Sequence, residues 1–145
     1  MIQFKRVLPN AKVPTRATRG SAGFDLYVGN LDIDLQKGIA TVDTGLQTAF
    51  SPGFVLLVYP RSGLATKWGF SLKNTVGVID SDYRGNILLK FDTNNHDFND
   101  IVSVLEPGAR VAQAILTPII NSEWLEVSEL PDTYRGAGGF GSTGS

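Results

Sequence analysis

The stretch VGVIDSDYRGNILL, Val76 to Leu89, carries two acids (Asp80, Asp82), a tyrosine (Tyr83), a base (Arg84) and a glycine (Gly85) between two apolar runs. A turn needs only small or turn-forming residues at its tip, so the paired acids and the tyrosine exceed what folding requires. A carboxylate is ionised at neutral pH and, correctly placed, accepts a proton from water. Asp80 is the candidate for that work. A second cluster, Arg61-Ser62-Gly63, directly follows an apolar run. It offers a bidentate donor, a hydroxyl and a residue that lets the backbone approach closely, which together suit an anion such as phosphate. A helical turn opening at Ser62 would add free backbone N–H groups.

Composition excludes several chemistries. With no cysteine and a single histidine, His96, the chain cannot supply the ligand set of a zinc deaminase, a disulfide or a thiolate centre. The pattern GxxxxGK[ST] is missing, which argues against a P-loop nucleotide site. A net charge of −1 argues against nucleic acid as a partner, because a phosphate-backbone binder carries a basic surplus. The longest apolar run, Phe54 to Tyr59, is far short of the roughly 20 residues that span a bilayer. The opening residues MIQFKRVLPN lack the apolar core of a signal peptide, so a cytoplasmic protein without membrane partners is expected.

The elements that must position these residues read as short strands. Ile2 to Leu8, Phe24 to Tyr27, Leu31 to Leu35, Ile39 to Val42, Leu46 to Phe50, Phe54 to Tyr59, Val111 to Leu116 and Trp124 to Val127 are apolar or alternating runs. Turn signals at Gly38, Gly45 and Pro52-Gly53 separate the middle ones. Such spacing predicts an all-β, jelly-roll-like sandwich. The one helix expected is short, Ser62 to Trp68, with Ser62 as its N-cap. Val76 to Ile79 and Asn86 to Leu89 read as the arms of a β-hairpin, and Thr93 to Asp100 as an exposed polar turn. Residues 1–134 form the expected domain. From Arg135 onward the chain is glycine-rich with only Phe140 large and apolar, which predicts a flexible arm, 135–145, unless something orders it.

Five clusters resemble, in order, the motifs of the trimeric dUTP pyrophosphatases (dUTPases). They are SAGFDLY (Ser21 to Tyr27), PRSGLATK (Pro60 to Lys67), the Val76 to Leu89 stretch, GARVAQ (Gly108 to Gln113) and RGAGGFGSTG (Arg135 to Gly144). Together they span nearly the whole chain. The resemblance implies a Mg²⁺-dependent homotrimer that hydrolyses dUTP to dUMP and pyrophosphate, lowering dUTP and supplying dUMP for thymidylate synthesis. It implies that Asp80 positions the attacking water and holds the sugar's 3′-hydroxyl, and that Asp25 meets Mg²⁺ through water. Arg61, Ser62, Gly63 and Gln113 would hold the phosphate chain, with the role of Arg110 left open. Backbone groups around Gly77, Val78, Ile79 and Leu88, aided by Asn74, would read uracil, and Tyr83 would lie against the deoxyribose. Phe140 would stack over the base, Arg135 would meet the γ-phosphate, and Gly141, Ser142 and Thr143 would complete the phosphate contacts. Two other readings stand beside this one. The dCTP deaminases share the fold but lack such a tail, and a dUTP-binding regulatory protein with a second partner would need the same nucleotide site.

Overall fold

The structure is a computed structural model that describes residues 1–93 and 96–139. Its elements run β1 (Gln3–Arg6), β2 (Phe24–Tyr27), β3 (Asn30–Asp34), β4 (Ile39–Asp43), β5 (Leu46–Ala49), β6 (Phe54–Pro60), α1 (Ser62–Trp68), β7 (Ser71–Leu72), β8 (Gly77–Ile79), β9 (Leu88–Asp92), α2 (Phe98–Val104) and β10 (Arg110–Pro118). Successive side chains of a strand point to opposite faces, so apolar residues at alternate positions share one buried side. Ala40 and Val42 of β4, Leu56 and Val58 of β6, and Leu89 and Phe91 of β9 meet in this way. Phe91 is fully buried, and cutting it back to alanine would cost about 3–5 kcal/mol.

Two four-stranded sheets, β2-β10-β6-β8 and β3-β4-β9-β7, supply most of that core, and β1-β5 forms a separate pair. Every pairing is antiparallel. The expected all-β, jelly-roll-like architecture holds. Gly45 makes the β4–β5 turn at φ 68°, and a Cβ there would collide with Leu8 and Ala11, so both backbone and packing demand glycine. No helix among the described residues is long and apolar enough to cross a membrane.

Four local expectations are corrected. The helix over Ser62–Trp68 forms as expected, but Arg61 occupies the N-cap position and no side chain caps it. A second helix, α2, emerges from the polar stretch expected to be a turn. Asp97 accepts the Asp100 N–H at 2.9 Å, and Ile101 and Leu105 bury completely, so the cap and the apolar face outweigh the local polarity. Trp124 to Val127 forms no strand: these residues are exposed, and among the described residues they pair with no sheet edge. Finally, β8 and β9 are not hairpin partners. β8 pairs with β6 in one sheet and β9 with β4 and β7 in the other, so residues 80–87 bridge the two sheets.

Candidate nucleotide site

The splaying of β8 from β9 creates the more specific of two features. Where a hairpin would zip its arms together, the chain leaves a slot of about 140 Å³ lined by Val78, Ile79, Asp80, Tyr83, Asn86 and Leu88. Val78 and Leu88 are exposed large apolar residues, and the backbone between them is not consumed by a shared ladder. A planar, hydrogen-bonding group fits such a wall. Of the two acids in this stretch only Asp80 lines the slot, and among the described residues nothing pairs with its carboxylate. The Tyr83 N–H donates to the Asp80 carbonyl at 3.2 Å, and the Tyr83 hydroxyl donates to the Asn86 carbonyl at 3.1 Å, which turns the ring back over Gly85. A Cβ at Gly85 would run into that ring. Arg84 closes the turn from behind, donating to the carbonyls of Ser81 (2.8 Å), Tyr83 (3.0 Å) and Thr48 (3.4 Å).

The second feature is an arginine pair around Asp25, whose side chain is only 12% exposed. Arg61 Nε lies 3.4 Å from Asp25 Oδ1, and Arg110 Nη1 lies 3.3 Å from Oδ2. Sequence spacing hides how Arg110 arrives there. Asp25 sits directly across from Gln113, three residues from Arg110, so in a regular strand Arg110 would face the other way. A bulge at Val111 inserts one residue and restores the face, which also explains why the consecutive Val111 and Ala112 are both buried. Arg61 is further held by its N–H to the Val111 carbonyl (3.2 Å) and by Nη1 to the Arg110 carbonyl (3.4 Å). Ser62 and Gly63 follow as the exposed first turn of α1, where N–H groups lack intrahelical acceptors. Strands β2, β10 and β6 are neighbours, with Asp25, Gln113 and Tyr59 in register, so Asp25, Gln113 and Arg61 belong to one face at one end of the sheet.

The two features are far apart within the chain. Ile79 pairs with Leu56, which puts Asp80 level with Val55, so Arg61 lies six residues up β6, or about 20 Å away at strand rise. Gly77 begins β8 against Val58, and Asn74 lies beyond it in the turn after β7, exposed and away from the lining of the slot. Arg135 is exposed on the segment after β10, with its carbonyl accepting the Gly138 N–H at 3.0 Å. Phe140, Gly141, Ser142 and Thr143 lie outside the described residues. Sequence reading missed Asn86, Asp43 and Gln47, which hold Tyr83's wall of the slot. The one available signal was an asparagine at the head of an apolar run, directly after Gly85.

A single carboxylate already matched by two guanidinium groups is a poor inner-sphere cage, and no group of three or more His, Cys, Asp or Glu among the described residues could hold a metal. Asp25 does suit a contact through water to a Mg²⁺ arriving on a polyphosphate, since that ion keeps most of its waters.

In an antiparallel sandwich, the backbone-walled slot with Asp80 at its rim and the arginine-bearing face have the chemistry to take the base and the phosphates of a nucleotide. The dUTPase family model matches residues 9–144. A deoxyuridine 5′-triphosphate nucleotidohydrolase of Nautilia profundicola is 41% identical over 145 residues, covering 99% of this chain and 98% of that protein. The chain belongs to the dUTPase family, whose members are enzymes that hydrolyse dUTP. In fold it is similar to a mutant Staphylococcus bacteriophage 80alpha dUTPase with dUpNHpp, at TM-score 0.79 and 23% identity, covering 100% of this chain and 99% of that one. It is likewise similar to a mutant dUTPase from phage phi11 of S. aureus, described for the coordination of a structural Mg(II) ion, at TM-score 0.72 and 21% identity, covering 91% of this chain and 99% of that one.

Proposed function

We propose that this chain hydrolyses dUTP to dUMP and pyrophosphate as a homotrimer whose sites are each shared between chains. The observation that carries the reading is the slot. Its walls are strand backbone and aliphatic side chains, and at its rim stand a carboxylate without a partner among the described residues and a tyrosine ring held by its hydroxyl. Backbone groups of Val78, Ile79 and Leu88 present donors and acceptors that complement uracil's edge, while a tight fit near C5 rejects a methyl group. The Tyr83 ring closes the sugar side against a 2′-hydroxyl. Steric exclusion matters here, because an apolar surface alone rejects an added hydroxyl by only about 10²-fold.

Asp80 orients the attacking water and takes its proton as the oxygen–phosphorus bond forms at the α-phosphorus. The bond to the bridging oxygen breaks, pyrophosphate leaves, and no covalent enzyme intermediate forms. Arg61, the first turn of α1 at Ser62 and Gly63, and Gln113 hold the phosphate chain, with Asp25 aiming Arg61. Mg²⁺, held through water by Asp25 and directly by the phosphates, would neutralise part of their charge. Arg135 and the residues after it close over the nucleotide.

Sharing between chains is supported by two facts. One chain keeps its slot and its arginine pair about 20 Å apart at strand rise. It also leaves apolar surface uncovered. An apolar cleft of about 540 Å³ is lined by residues including Phe4, Phe24, Leu26 and Leu116, and Ile120, Trp124, Leu125 and Leu130 stand exposed on the segment after β10. Patches of this kind mark association surfaces. A cytoplasmic setting is part of the same proposal, since nucleoside triphosphates are intracellular substrates. The test is incubation with dUTP, dCTP or dTTP plus Mg²⁺, assayed for pyrophosphate and for ammonia. Pyrophosphate from dUTP alone is expected. Ammonia from dCTP would instead make the chain a deaminase.

A further inference from the structure

The position of the Tyr83 ring is fixed from outside the stretch that carries it. Its hydroxyl rests on the Asn86 carbonyl, and Asn86 is itself tied down on both sides of its amide. Asn86 Nδ2 donates to Asp43 Oδ2 at 2.9 Å, and Asn86 Oδ1 accepts from Gln47 Nε2 at 3.1 Å. One partner accepts only and the other donates here, so a single orientation of the amide satisfies both. The remaining Asp43 oxygen accepts the Gly45 N–H at 2.7 Å, which anchors the carboxylate in the β4–β5 turn. Next along the chain, Ile87 donates to the Leu46 carbonyl (2.9 Å) and accepts from the Thr44 N–H (3.2 Å) and hydroxyl (2.9 Å). The Tyr83 side of the slot is thus built on a turn that contributes nothing to its lining.

We propose that Asp43 and Gln47, acting through Asn86, are positioning residues that set where the Tyr83 ring stands and so how strictly the enzyme prefers a deoxyribose. The inference rests on the reading of Tyr83 as the sugar-facing ring. Displacing a substrate-facing group by a fraction of an ångström weakens discrimination without removing any contact atom, which is why supporting hydrogen bonds matter to selectivity.

The test exchanges the chemistry of the pair. Asn86→Asp alone places a carboxylate against Asp43 and removes the donor between them. Adding Asp43→Asn restores every bond, with donor and acceptor reversed only between positions 43 and 86. The new amide at position 43 would donate to the new carboxylate at position 86 while still accepting from the Gly45 N–H, and Gln47 would still donate to that carboxylate. The readouts are kcat and KM for dUTP and for UTP, with melting temperature beside them. Asn86→Asp should lower the preference for dUTP over UTP by about 10- to 100-fold. The exchanged pair should recover most of it, and Asn86→Asp should add little in a Tyr83→Ala background. Gln47→Met, which removes one donor at similar volume, should shift the preference in the same direction and serves if Asn86→Asp does not fold. The proposal falls if Asn86→Asp or Gln47→Met lowers the melting temperature but keeps the parent preference, or if the exchange restores stability and not preference. Tyr83→Ala separates the two layers. An unchanged preference there overturns the reading of Tyr83 itself, whereas a lost preference there with none lost in the network variants overturns only the positioning role.

Discussion

Asp25 lies between two guanidinium groups, and one of them reaches it only because Val111 bulges out of β10. That arrangement gives Arg110 a structural part, steadying the carboxylate that aims Arg61. Asp25→Asn should therefore raise KM for dUTP more than it lowers kcat, and steady-state kinetics would show the split. Asp80 has the opposite profile, with no partner among the described residues and a place at the rim of the slot. Asp80→Asn should keep nucleotide affinity and lose roughly 10²–10⁴-fold in kcat. A kcat close to the parent's would remove Asp80 from the chemistry. Tyr83→Ala should relax the choice of dUTP over UTP while the preference for uracil over thymine stays, measured as ratios of kcat/KM. Asp80 and Tyr83 were singled out in the sequence because paired acids and a tyrosine exceed what a turn needs, and both line the slot. Arg110 was not, because a bulge reverses which face a residue takes and leaves no mark in the spacing.

Most strands could be read from alternation, and β2 and α1 match to the residue because Gly23 and Gly69 punctuate them. The misreadings share a cause, which is that pairing is decided by the rest of the fold. Val76 to Leu89 has the pattern of a hairpin, yet β6 and β4 capture its two arms for different sheets, and the slot exists because of that competition. Trp124 to Val127 has strand-like residues but pairs with no strand among the described residues. The glycine-rich arm follows it. Because removing 135–145 takes away no strand and no buried residue among those described, the truncated chain should melt close to the full one and keep its assembly. On the proposed role of Arg135 its turnover should fall steeply, since an arginine that meets the transferring phosphate is worth about 10³–10⁵-fold. A truncation that melts normally and still hydrolyses dUTP at the parent rate would show that the arm is not needed to close the site.

The whole molecule must reconcile a slot and an arginine-bearing face that one chain holds about 20 Å apart at strand rise. The proposed homotrimer would answer both this separation and the uncovered apolar surface, and light scattering should give about three times 15.6 kDa. Mass alone does not show that a site draws on two chains. Mixing does. Arg61→Ala spoils the phosphate side and Asp80→Asn spoils the slot side, so each variant alone should be nearly inactive. If every site takes its slot from one chain and its arginine from another, dissociating and reassembling the two in equal amounts should create intact sites from one good half of each. Random assortment makes these roughly a quarter of the total, one half multiplied by one half. Recovery of about that share of parental activity is the predicted result. A mixture as inactive as its components, although the chains demonstrably exchange, would contradict the shared site.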